Sequence, residues 1–194
     1  MIYNKLLSLA LLTTLVFLSG CSENEGDEGA TSTVQGWHQQ GRDCLACHNV
    51  DLNPDKHLLY GGTLYKQAIF ADQNDLTKMC GGKLIVNFYN SSTGVLEYSS
   101  ADYEDPNSKG YDAKGNIFIL QRELRLLTAD NYNVQITTAN GTQLAIGTNH
   151  RFNSADYDIG QPIDYQNRLS CNSCHSKTGT VDPLNAGSNS SLCE

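Results

Sequence analysis

Apolar and polar positions divide the chain into three zones. Leu6 to Leu18 is a mostly apolar run of 13 residues behind the cationic Lys5. It is too short for a spanning helix of about 20 residues and has the length of a signal-peptide hydrophobic region. Ser22 to Gly36 is rich in Glu, Asp, Gly, Ser and Thr and nearly free of apolar residues. It cannot repay the entropy of ordering, which predicts a flexible acidic tether over 21–36. From Leu58 onward the pattern becomes that of strands. Leu58–Tyr65 is β-rich around Gly61-Gly62, where a kink or bulge is expected. Lys83–Asn90 and Val95–Ser100 flank the short loop Ser91-Ser92-Thr93-Gly94. Asn116–Leu120 follows the turn Asp112-Ala113-Lys114-Gly115, and Tyr132–Thr138 pairs with Thr142–Gly147 across Ala139-Asn140-Gly141, a favoured hairpin turn. Gln121–Leu127 fits a short helical turn or a bent strand. With no long amphipathic helix, the expectation is a mainly β fold: a small antiparallel β-sandwich over 58–168.

Length and composition narrow the class. A chain of 194 residues suits one compact domain with its own apolar core. Hydrophobic residues at 39% and charged residues at 18% exclude collagen, coiled coil, wholesale disorder and a polytopic membrane protein. Thirteen Lys and Arg against 21 Asp and Glu give a net charge of -8, which excludes nucleic acid as a partner for want of a basic face.

The seven cysteines carry the chemistry. Leu18-Ser19-Gly20-Cys21 resembles the lipobox of bacterial lipoproteins, which implies removal of residues 1–20 and lipid on Cys21, the only membrane attachment expected. Ser22, in place of an Asp, points to the outer membrane over the inner. Cys44-Leu45-Ala46-Cys47-His48 and Cys171-Asn172-Ser173-Cys174-His175 both read C-x-x-C-H, the pattern of covalent c-type haem attachment. Two thiols one helical turn apart can add to the two vinyl groups of one haem, and the following histidine is held under the iron. A thioredoxin-like site would follow a buried strand, whereas polar residues precede both motifs. A four-thiolate zinc site would leave both histidines unexplained. The expectation is two covalently attached haems c, with Cys44, Cys47, Cys171 and Cys174 as thioether residues and His48 and His175 as proximal ligands.

The distal positions draw on His57, His150 and His38, ranked in that order, and on the single methionine beyond the leader, Met79. His57 precedes the first strong strand, His150 follows the strand-like 143–148, and His38 adjoins Trp37 at the end of the tether. Cys80 and Cys193 remain, a natural disulfide in an oxidising compartment.

The order of the first motif, a histidine before Gly61-Gly62-Thr63-Leu64-Tyr65, a turn of the type Asp112-Ala113-Lys114-Gly115-Asn116 and the second motif is similar to lipoprotein dihaem cytochromes. Their two haem motifs bracket an immunoglobulin-like or transthyretin-like sandwich of the carboxypeptidase-regulatory type. The resemblance covers about residues 44–180 and implies an electron carrier without an organic substrate, whose partners are other redox proteins, above all cytochromes. The domains expected are a signal peptide at 1–20, the tether, a dihaem domain at 37–180 and a polar tail at 181–194. A dihaem peroxidase with one open iron site and a filament-forming surface subunit are the alternatives.

Overall fold

The period-two segments fold into six strands that bury their apolar sides on a common core. In a computed structural model of the chain, residues 39–70, 72–103, 114–121, 130–152 and 169–193 are described. All lie within the unit Ser32–Glu194. The strands are β1 (Leu58–Thr63), β2 (Leu84–Asn90), β3 (Leu96–Ser99), β4 (Asn116–Leu120), β5 (Asn131–Thr138) and β6 (Gln143–Arg151). They form two antiparallel sheets, one pairing β1 with β4 and one of order β3-β2-β5-β6. The leader, the tether, Cys21 and His38 lie outside the described residues, as does all of Gln121–Leu127 but Gln121 itself. Among the described residues no helix is long and apolar enough to cross a membrane.

One core joins the two sheets. Leu58, Tyr60, Ile117 and Ile119 from the small sheet meet Val86, Phe88, Tyr132, Ile136 and Leu144 from the large one. Phe88 is its hub, with ring centroids 5.4 Å from Tyr60, 6.2 Å from Tyr132 and 5.9 Å from Phe152. Tilted and edge-on ring pairs of this kind add about 0.5–1.5 kcal/mol each beyond burial. The β5-β6 turn depends on Gly141, whose φ of +85° is the left-handed conformation that the Asn-Gly sequence supplies.

Three features depart from the sequence pattern. Gly61 and Gly62 do not break β1: they pair regularly with Phe118 and Ile117, and the register shift falls instead between Leu58 and Tyr60. β6 runs beyond Gly147 to Arg151, so His150 sits within a strand. Residues 181–193 are no loose tail. The Tyr65 N–H donates to Leu184 O at 2.8 Å and the Ala186 N–H to Tyr65 O at 2.8 Å, which seats the segment beside the extension of β1. Pro183 and Ala186 are buried there. The segment is held by these main-chain hydrogen bonds and by the expected covalent bond Cys80–Cys193, with an S–S distance of 1.98 Å.

That bond closes a sequence separation of 113 residues, for which the chain-entropy model gives about 4–5 kcal/mol. Cys193→Ala should therefore lower the midpoint of urea unfolding without changing its denaturant slope by more than the loss of the cross-link requires, and should open residues 181–193 to proteolysis. A midpoint equal to wild type would show that the bond contributes no stability.

Candidate functional site

Both cysteine motifs fold as single helical turns against β1. α1 (Cys44–His48) is started by Asp43, whose carboxylate accepts the Ala46 N–H at 3.1 Å, the usual role of an N-cap. Leu45 points into the core and is 1% exposed. α2 (Cys171–Cys174) follows Ser170. In each turn the two cysteines stand three positions apart on one face.

The second turn is fastened to the first by side chains. Ser173 Oγ donates to Asp43 Oδ2 at 2.7 Å, and Ser170 Oγ to Asp43 Oδ1. Asn172, 2% exposed, donates to Arg42 O at 2.8 Å and accepts the Thr63 N–H at 3.0 Å. Segments about 130 residues apart in sequence are thus brought side by side.

Gly61 and Gly62 make room for both. A Cβ on Gly61 would stand 2.7 Å from Cys44 Cβ, and one on Gly62 would stand 2.6 Å from Cys171 Cβ. Neither distance is possible for real side chains, so the two glycines are seats for the two leading cysteines. Cys44 and Cys171 are half-buried as residues, with their sulfurs turned in toward the glycines. Burial, together with the adjacent Cys171 and Asp43, pushes the Cys44 thiol up to about 12. Burial does the same to Cys171, opposed by a hydrogen bond from its own backbone and reinforced by Cys174 and Asp43. Cys174 is a third free thiol, whereas Cys47 is disulfide-bonded.

The motif histidines share one arrangement. His48 Nδ1 lies 2.9 Å from Lys56 O, and His175 Nδ1 lies 3.0 Å from Asp182 O. A carbonyl only accepts, so each Nδ1 carries a proton, and in the neutral imidazole Nε2 is then the nitrogen with the free lone pair. This is the tautomer and the outer-shell contact of a metal-ligating histidine.

His150 is aimed by a bulge. Between the pairs Tyr132–His150 and Val134–Gly147 the register of β6 shifts. Asn149 there takes a φ of 54°, and its N–H donates to Asn133 Oδ1 at 3.1 Å. Such bulges re-aim side chains. The His150 ring lies over Gly147, where a Cβ would come within 2.4 Å of it, and its centroid stands 6.2 Å from that of His175 with 33° between the planes. Both rings line a cavity of about 1190 Å³ together with Cys171, Cys174, Phe88 and Leu144.

These residues fit a haem. Two imidazoles and the two thiols of one motif line a single cavity, the donor set that a covalently attached haem requires. Its walls combine apolar side chains such as Phe88 and Leu144 with polar ones such as Gln143 and Asn189. At Cys47 the fit requires that the disulfide first be reduced, since only a thiol adds to a vinyl group. Among the described residues no group of three or more His, Cys, Asp and Glu is placed to hold a metal ion.

The remaining candidates are placed differently. His57 Nε2 is 3.2 Å from Leu52 O, a contact that commits this nitrogen to a carbonyl. Met79 is 2% exposed in the core and does not line the cavity. Sequence reasoning missed Asp43, Ser170, Asn172 and Ser173. An Asp just before the motif was a legible N-cap signal, but nothing in the sequence links it to serines so far along the chain. Compared with protein-family models, curated proteins and solved structures, the chain finds no match.

Alkylation tests the seats. Thiolate, not thiol, reacts with iodoacetamide, and a pKa of about 12 leaves roughly one thiolate in a thousand at pH 9. In the folded chain before haem attachment, Cys44 and Cys171 should stay unlabelled at pH 9 by mass spectrometry and become labelled in urea. Equal labelling with and without urea would contradict the seating.

Proposed function

We propose that the chain is an electron-transfer dihaem c-type cytochrome, anchored outside the cytoplasm by lipid on Cys21. The observation that carries this reading is the pairing of His150 and His175 at 6.2 Å across a cavity that also holds Cys171 and Cys174. Cys171 and Cys174 would bind one haem through thioethers, with His175 and His150 on its two faces. Cys44 and Cys47 would bind the other, with His48 proximal. His57, once released from Leu52, or His38 would supply its distal ligand. The order of the distal candidates thereby changes, with His150 ahead of His57.

A bound haem supplies an iron that takes up and gives back one electron. The chain does the rest. The carbonyls of Lys56 and Asp182 hold the proximal rings in place and raise their basicity. The Phe88 and Leu144 walls keep water away, and burial with ligand identity sets the potential. A ring standing opposite His175 also argues against the open iron position that a peroxidase would need at this site. The acidic charge of -8 favours basic docking faces on other cytochromes and speeds encounter at low salt. The two antiparallel sheets support the likeness to dihaem lipoproteins with an immunoglobulin-like or transthyretin-like sandwich, and Ser22 in place of an Asp after Cys21 favours the outer membrane.

Pyridine haemochrome analysis of the full chain, produced where c-type haems are attached, should give two haems per chain. One or none would end the proposal. His150→Ala should turn one of the two from low to high spin in low-temperature EPR, and an unchanged low-spin spectrum would remove His150 from the ligands.

A further inference from the structure

We infer that the two C-x-x-C-H segments form one composite site, in which Asp43 is the positioning residue that holds the two haems as an interacting pair within a single chain. The inference rests on the dihaem reading and adds to it an arrangement that two motifs in a sequence do not imply. A sandwich can carry its two ends on opposite sides, with each haem isolated.

Three observations carry it. Cys44 and Cys171 pack on successive residues of β1, Gly61 and Gly62, whose side-chain directions alternate, so the two leading cysteines flank the same short stretch of one strand from its two faces. Asp43 ties both turns with one carboxylate: it caps α1 through the Ala46 N–H and accepts from Ser170 and Ser173 of the second segment. Asn172 adds a brace, donating to Arg42 O and accepting from Thr63 N–H of β1, and its Nδ2 lies 4.0 Å from Cys44 Sγ. Hydrogen bonds to a charged acceptor contribute more than neutral ones, and three of them converge on Asp43. Loss of Asp43 therefore frees α2 to shift relative to α1 while β1 and the core remain.

The test reads the interaction between chromophores. Circular dichroism in the Soret region of the fully haem-loaded wild type should show a two-signed couplet, as coupled haems do. Asp43→Ala should retain two haems by haemochrome but lose more than half of the couplet and shift at least one midpoint potential. Asp43→Asn, whose amide still accepts from Ala46 and can donate to the serine oxygens, should restore it. If Asp43→Ala does not accumulate, Ser173→Ala carries the same expectation with a smaller loss. A wild-type chain with two haems and a single-signed Soret band would overturn the composite site while leaving the dihaem reading intact. A couplet unchanged in Asp43→Ala and Ser173→Ala would overturn the role of Asp43. Fewer than two haems in wild type would overturn the reading beneath both.

Discussion

The close approach of two helical turns to one strand is the constraint on which this structure depends. Gly61 and Gly62 are ordinary ladder residues, paired with Phe118 and Ile117. In place of side chains each presents backbone to a cysteine, with Cys44 over one and Cys171 over the other. Glycine in a strand loses more conformational entropy than any other residue. Here that cost is offset by contacts no larger residue would allow. Because β1 also pairs with β4 and adds Leu58 and Tyr60 to the core, the position of both turns is referred to the buried core.

Glycine seats alone would not fix the turns, since each is a single turn of helix and too short to be stable by itself. The fixing is polar. Asp43 and Asn172 between them accept from Ala46, Ser170, Ser173 and Thr63 and donate to Arg42. Such networks are costly when half satisfied and rigid when complete. An interlock of this kind suits turns this short, which bury little apolar surface of their own: Leu45 in α1 alone.

The strands were legible because their signal is local: alternation gives the face, and Asn140-Gly141 and the loop ending at Gly94 give the turns. β1 to β5 fall where the pattern puts them, with ends that differ by one or two residues. What escaped was non-local. The glycine pair reads as a break when the strand is considered alone, since what presses on it comes from positions 44 and 171. Residues 181–193 read as a tail because main-chain hydrogen bonds to Tyr65 and a bond to Cys80 leave no apolar periodicity. The motif spacings were plain in the sequence, whereas the ring that faces His175 was not. His57 has the better position along the chain, yet its Nε2 meets Leu52 O, and the β6 bulge is needed to bring His150 round.

The bulge and the C-terminal segment belong to one arrangement. His150 depends on Asn149 in the left-handed conformation and on the bare backbone of Gly147. His175 depends on Asp182 O, whose segment continues into Leu184 and Ala186 against Tyr65 and ends at the bond to Cys80. The two rings therefore approach from different sheets: one rides on the edge strand β6 and the other hangs from a strap anchored beside β1. The 6.2 Å between them is thus set by the packing of the two sheets over Phe88 and its neighbours. A core substitution at Phe88 would be felt at the site through that distance, even though Phe88 touches neither histidine motif in sequence. The core then has a second duty besides stability, as the spacer that sets the distance between the His150 and His175 rings.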